Sequence, residues 1–233
     1  MKKAGILKKI TILVLVLVVP GFLYYLLTAH GKNRYKPLAV FGPKQVAKTS
    51  HKVNGKDIQD TIYHTLPDFN LTDQNGKAVS LKTLDNKILV VNFFYTGCSS
   101  VCGLMNRNVN VIDSFYTRNK MVYFVSITVD PRHDDVPALK KYAEGFKNLS
   151  PKRLFLTGDT STIYNLARKG FLVNALQTGS DDFVYSDQLI LVDRDRRIRG
   201  YYTGASTLEA ERLNDEIKVL ISDELRKNDT PLY

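Results

Sequence analysis

The chain has 233 residues, 44% of them hydrophobic, and a formal net charge of +10, enough for one substantial core with an appendage but short for two full domains. The charge is concentrated at the front: residues 1–56 hold eleven Lys or Arg and no Asp or Glu, leaving 22 basic against 23 acidic residues from 57 onward. A basic front beside an apolar segment suits an anionic membrane surface, and with no basic stripe or aromatic-basic module further on, nucleic acid is excluded as a partner.

From Ile10 to Ala29 the sequence ITILVLVLVVPGFLYYLLTA carries no charged residue, and twenty helical residues at about 1.5 Å each span roughly the 30 Å of bilayer hydrocarbon. The segment predicts one transmembrane helix over 10–29, behind a short basic N-terminus at 1–9. A cleaved signal peptide is the competing reading, but its apolar region is shorter, and Leu27 with Ala29 makes a poor cleavage site. Pro20 is tolerable in a membrane helix, and Tyr24 and Tyr25 lie toward its far end, where amphipathic rings favour the interface. The short N-terminus, with four Lys in nine residues, reads as cytoplasmic and the C-terminal domain as exported.

Residues 30–60 are polar, basic and turn-rich, which predicts a linker without sustained helical or strand period. The folded domain is predicted over 61–227. Asp73-Gln74-Asn75-Gly76 between the short apolar stretches Phe69–Leu71 and Ala78–Leu81 predicts a β-hairpin. Ile88–Phe94 is a continuous β-rich run of the kind covered on both faces, and so a mid-sheet strand. Val101–Arg118 has helical spacing, with Val101, Met105, Val109, Ile112, Phe115 and Tyr116 on the apolar stripe. A second buried strand follows at Met121–Val129, then a helix over Val136–Phe146, a strand over Arg153–Thr157 and a helix over Thr160–Lys169. Gln188–Val192 and Ile198–Tyr202 read as two strands joined across a polar turn. A closing helix lines up Leu208, Leu213, Ile217, Leu220, Ile221 and Leu225 on one face. This order predicts an α/β, thioredoxin-like fold with an N-terminal β-hairpin extension and a helical insertion before the third main strand.

The only two cysteines, Cys98 and Cys102, lie where the first central strand ends and a helix starts, at the sheet edge where ligands bind in open α/β folds. Free N–H groups and the positive end of the helix dipole favour a thiolate there, and the thiolate is both nucleophile and metal ligand. Cys98 is the more reactive of the two by this reasoning. One helical turn apart, the two Cα atoms are about 6 Å from each other, within reach of a disulfide. The same spacing lets both sulfurs reach one soft ion such as Cu(I), whereas Cu(II) wants an imidazole beside them. Cys98 and Cys102 are therefore the predicted redox pair and the predicted metal ligands. A purely structural disulfide is the bland alternative, disfavoured because so short a loop removes little chain entropy.

Met105, one turn further on, has a soft sulfur but falls on the apolar stripe and reads as core. His30 and His51 read as solvated and His64 as a surface or packing residue. His133, in the loop leaving the second central strand, shares the cysteines' sheet edge; a solvated loop histidine is the simpler reading. Neither a Ser-His-Asp arrangement, nor a phosphate-cradling glycine loop, nor four-ligand zinc spacing is present.

The ordered set Leu66-Pro67-Asp68-Phe69, Gln74-Asn75-Gly76-Lys77, Val91-Asn92-Phe93-Phe94-Tyr95-Thr96-Gly97-Cys98-Ser99-Ser100-Val101-Cys102 with Met105, Ser126-Ile127-Thr128-Val129-Asp130-Pro131, Leu156-Thr157-Gly158-Asp159 and Leu191-Val192-Asp193 resembles the Sco/SenC family over roughly residues 62–226. The resemblance implies a membrane-anchored, thioredoxin-like copper protein of cytochrome c oxidase assembly, in the bacterial inner membrane with its domain in the periplasm. The implied partner is a respiratory oxidase subunit or another copper or thiol protein. The family holds copper through the two motif cysteines and a histidine just before the Leu-Val-Asp strand. Counting back from Leu191-Val192-Asp193, that place is occupied here by Tyr185, followed by Ser186. The family's prolines after each cysteine are replaced by Ser99 and Gly103. Cys98 and Cys102 carry over and the third ligand does not, with His133 or Tyr185 as conceivable substitutes. Two functions follow: a protein that handles Cu(I) for an oxidase copper centre, or a thiol-disulfide oxidoreductase that acts on partner cysteines without metal. A degenerate scaffold is a third, weaker reading.

Overall fold

The computed structural model describes residues 3–30, 37–53, 56–98, 101–146, 149–177 and 183–229, in two compact units, Met1–Lys36 and Pro37–Tyr233. The first is a single helix, α1 (Lys3–His30), with Pro20 inside it. It starts seven residues before the predicted span, in a stretch where Lys, Ala, Ile and Leu are adequate helix formers and Gly5 is the one poor one. Its side chains from Ile12 to Leu26 are exposed. Over the described side chains, no helix is long and apolar enough to cross a membrane; in the apolar part of α1 these stop at Leu26, short of the full Ile10–Ala29 stretch.

In the second unit, the stretch 30–60 expected to be an irregular linker instead holds β1 (Lys44–Val53) and the start of β2 (Lys56–Tyr63), which pair antiparallel. Nearly all their side chains are exposed, so the hairpin buries no face and leaves no alternation of apolar residues to read. Residues 31–36, 54–55 and Ser99 lie outside the described residues.

The remaining strands are β3 (Asn70–Asp73), β4 (Ala78–Ser80), β5 (Ile88–Phe94), β6 (Val122–Thr128), β7 (Arg153–Thr157), β8 (Ala175–Gln177), β9 (Phe183–Tyr185), β10 (Gln188–Val192) and β11 (Ile198–Thr203). Seven of them form one sheet in the order β11-β10-β5-β6-β7-β3-β4. β5, β6 and β7 run parallel, and β3, β4, β10 and β11 pair antiparallel around them. In the β3–β4 turn Gly76 takes φ +78°, a conformation that glycine adopts without steric cost, while the Asp73 carboxylate accepts from the N–H groups of Asn75 and Lys77.

Every residue of β5 is buried, and alternation divides them between two cores. Leu89, Val91 and Phe93 join the apolar cluster on one face, with Ile163 from α4 (Thr160–Asn165), Leu166 from the π-helical turn Leu166–Gly170 that extends it, and Phe171 just after that turn. Ile88, Val90 and Phe94 join the cluster on the other face, under α2 (Val101–Tyr116), α3 (Val136–Glu144) and α5 (Thr207–Asp229). This is the α/β thioredoxin-like layering, with helices on both faces of the sheet.

The apolar stripes of α2 and α5 are narrower than their sequences suggest. Met105, Val109, Ile112 and Tyr116 are buried, whereas Val101 is partly exposed and Phe115 is 66% exposed. Leu213, Ile217 and Leu220 are buried on α5, but Leu208 and Leu225 face solvent. A helix laid across a twisted sheet buries a narrow arc, so residues at the margin of the stripe fall outside it. The edge strand β11 is covered by the segment at 37–43: Phe41 N–H donates to Ile198 O at 2.9 Å, and the Arg199 guanidinium donates to the carbonyls of Leu38 and Ala39. An edge covered in this way offers few free groups for strand addition.

Candidate functional site

β5 delivers the chain to the cysteines. After Phe94 the backbone turns, Cys98 N–H donating to Tyr95 O, and α2 begins at Val101. Cys98 and Cys102 form a disulfide, with their Cα atoms 5.8 Å apart. The two sulfurs are unequally accessible: Cys98 is half-buried, while Cys102 is 1% exposed. Attack by an incoming thiol is therefore directed to Cys98, next to the positive end of α2.

The loop is held from below by a residue that sequence reasoning overlooked. Asp134, 0% exposed, accepts from Thr96 N–H at 3.0 Å and from the hydroxyls of Thr96 and Thr128. One carboxylate thus ties the cysteine loop to the end of β6 and to the loop before α3. No periodicity marks such a residue, because it acts through contacts distant in sequence. Its neighbour His133 is 65% exposed at its side chain and pairs with Asp130, Nδ1 to Oδ2 at 2.7 Å, which leaves it in the role of a loop histidine.

Tyr185 is brought to the sulfurs. The end of β9 pairs with β8, Tyr185 opposite Ala175, and the backbone is secured by Ser186 N–H donating to Asn174 O. The ring meets Tyr95 edge-on at 5.8 Å. Its hydroxyl lies 3.0 Å from Sγ of both Cys98 and Cys102. Disulfide sulfurs carry no proton, so the phenol is the donor. Burial, followed by the nearby Tyr95, Asp187 and Tyr142, pushes its pKa up to about 12, and the hydroxyl keeps its proton at neutral pH.

Met105 is fully buried in the helix-side core, as its place on the stripe predicts. A side chain on Gly204 would collide with it, since a Cβ there would come 2.7 Å from Met105 Cγ. His64 packs inside the fold, Nε2 at 2.7 Å from Gly170 O, and the exposed His51 pairs with Asp60 on the β1–β2 hairpin. The side chain of His30 lies outside the described residues.

From Cys98 an open groove of about 680 Å³ runs between α2 and α3, lined by Gly103, Asn106, Arg107, Tyr142 and Phe146 among others. Its wall rests on a buried cation. The Arg153 guanidinium lies over the rings of Phe146 and Phe155 and donates to the side-chain carbonyls of Asn106 and Asn110. Burial lowers its pKa to about 10, with Asp113 and then Tyr142 opposing the shift.

The donor set decides which ion would fit. Among the described residues no group of three or more His, Cys, Asp or Glu is placed to hold a metal. Once reduced, the pair offers two thiolates, the donor type suited to Cu(I). A protonated phenol, rather than the imidazole that Cu(II) favours, stands third.

The family model for SCO1/SenC matches residues 59–222. A SCO2-like protein of Rickettsia typhi is 30% identical over 186 residues, 79% of this chain and 80% of that protein. Among solved structures, BsSco, described as having a disulfide switch and as a member of the Sco family of cytochrome c oxidase assembly proteins, aligns at 25% identity and TM-score 0.61, covering 67% of this chain and 93% of that one. ScoI of Bradyrhizobium japonicum, solved with copper bound, aligns at 28% identity and TM-score 0.55, covering 67% of this chain and 99% of that one. The family match takes in the sheet, the cysteine loop and Tyr185 together, and the chain belongs to the SCO1/SenC family.

Proposed function

We propose that this chain serves the assembly of the copper centre of a respiratory cytochrome c oxidase, with Cys98 and Cys102 as its working pair. In the reduced state the two thiolates hold one Cu(I) as cargo and pass it to an oxidase subunit or another copper or thiol protein. The observation that carries the reading is the pairing of a half-buried and a buried cysteine, Cα atoms 5.8 Å apart, at the start of α2. Two sulfurs so close reach one soft ion without moving the backbone. The copper bound to the Bradyrhizobium relative and the oxidase-assembly role of BsSco support it.

The protein is tethered by α1, with its C-terminal domain on the periplasmic side of a bacterial inner membrane. Support comes from the uncharged stretch 10–29 lying within one continuous helix, Lys3–His30, and from the basic residues at its start.

A second reading, thiol-disulfide exchange on a partner without metal, is favoured by one observation: a tyrosine hydroxyl, not an imidazole, faces both sulfurs. Anaerobic titration of the reduced full chain with Cu(I) against a competing chelator, beside Cys98→Ala, separates the two. One copper per chain, lost in the variant, supports the copper reading; no competitive binding would move the function to exchange.

A further inference from the structure

We propose that the Tyr185 hydroxyl is a catalytic hydrogen-bond donor for opening the Cys98–Cys102 disulfide, holding the Cys102 sulfur as it leaves as a thiolate. The inference rests on the reading of the cysteines as the working pair, because a disulfide must be opened before it can bind Cu(I) or complete an exchange cycle.

A thiolate of a dithiol partner reaches Cys98, since Cys102 is 1% exposed. Its sulfur forms a bond to Cys98 Sγ, the Cys98–Cys102 bond breaks, and the electron pair of that bond goes to Cys102 Sγ. The partner's second thiolate then attacks the partner sulfur of the mixed disulfide and releases Cys98 as a thiolate. The partner leaves as a disulfide, having given two electrons to the pair, and the protons of its two thiols balance the two cysteine thiolates.

In the first step the negative charge grows on a sulfur that water hardly reaches. A buried charge without a partner is costly. The Tyr185 O–H is 3.0 Å from that sulfur before the reaction begins, so no group has to reorganise to meet the charge. A disulfide sulfur is a weak acceptor and a thiolate a strong one, so the contact is worth more in the transition state than in the ground state. Only such a difference accelerates a step. The ring is kept on station by the edge contact with Tyr95 and by the β8–β9 pairing. The hydroxyl also faces Cys98 Sγ at the same distance, so it serves the second release and the reverse reaction equally.

The test is Tyr185→Phe in the full chain, which removes one oxygen and keeps the ring. The disulfide is opened with dithiothreitol at fixed pH and the released thiols are trapped with a maleimide; its equilibrium is measured separately in a glutathione buffer. A hydrogen bond to a charged acceptor predicts opening at least about tenfold slower in the variant. It also predicts a tenfold shift of the equilibrium toward the disulfide, or about 30 mV for a two-electron couple, with an unchanged melting temperature. Equal rates and equilibria in the two proteins overturn the proposal. Copper plays no part in these measurements, so failure of the Tyr185 role and failure of the copper reading give separate results.

Discussion

Replacing Asp134 with alanine removes the post on which the cysteine loop stands. The carboxylate accepts three hydrogen bonds, from Thr96 N–H, Thr96 hydroxyl and Thr128 hydroxyl. A hydroxyl can turn to another acceptor, but the Thr96 N–H is fixed by the backbone, and Thr128 is fully buried. Leaving a buried donor unsatisfied costs about 1–3 kcal/mol, and the orphaned N–H together with the Thr128 hydroxyl bring the expected loss to about 3 kcal/mol. That is a large share of the 5–15 kcal/mol typical of a folded domain, and it corresponds to a fall in melting temperature of about 6–12 °C for a unit of this size. The assay is urea unfolding of the Pro37–Tyr233 unit with the disulfide intact, comparing midpoints at equal slope. Thr96 lies two residues before Cys98, so the loosened loop should also open faster with dithiothreitol. A loss below about 1 kcal/mol would refute the reasoning, because the three bonds would then be replaceable by water or by neighbouring groups.

The identity of the residue facing the sulfurs should set which copper ion is held. Tyr185→His in the reduced protein is expected to bind Cu(II) with visible thiolate-to-copper absorption that the parent chain lacks, because two thiolates with an imidazole suit Cu(II); absence of the band would show that position 185 does not govern ion choice. Asp159 caps α4, and hydrogen bonds from Ser161 and Thr162 lower its pKa. A depressed carboxylate pKa contributes stability above its ordinary value of about 3.9 that is lost as pH falls through the lowered one. The parent should therefore be more stable than Asp159→Asn at pH 7 and lose that advantage at the acid extreme; a difference in urea midpoint that does not vary with pH would count against it.

Much of this chain can be read from its residues because burial imposes a period. β5 coincides with the β-rich run Ile88–Phe94, and β7 and β10 have the bounds that their sequences predict. The cysteine turn lies where strand chemistry gives way to helix chemistry. The exceptions share one cause. The β1–β2 hairpin, built from KQVAKTSHKV and KDIQDTIY, buries almost nothing and so carries no apolar alternation. Phe115 and Leu208 are apolar at helical spacing, yet how wide an arc a helix buries is set by what packs against it, and both ended in solvent.

The sequence by itself determined the order along the chain of the main sheet's seven strands and of the helices, the one-turn separation of the cysteines and the place of Tyr185 just before β10, since all of these are local or countable along the chain. Only the tertiary structure decided what those residues do to one another. Tyr185 is 83 positions from Cys102 and Asp134 is 38 from Thr96, and no local period links residues so far apart. Their meeting follows from strand order: the adjacent β10, β5 and β6 bring to one edge of the sheet the Tyr185 segment before β10, the cysteine turn after β5 and the Asp134 loop after β6. Sheet pairing sets that adjacency, and with it the distance from a phenol to a sulfur.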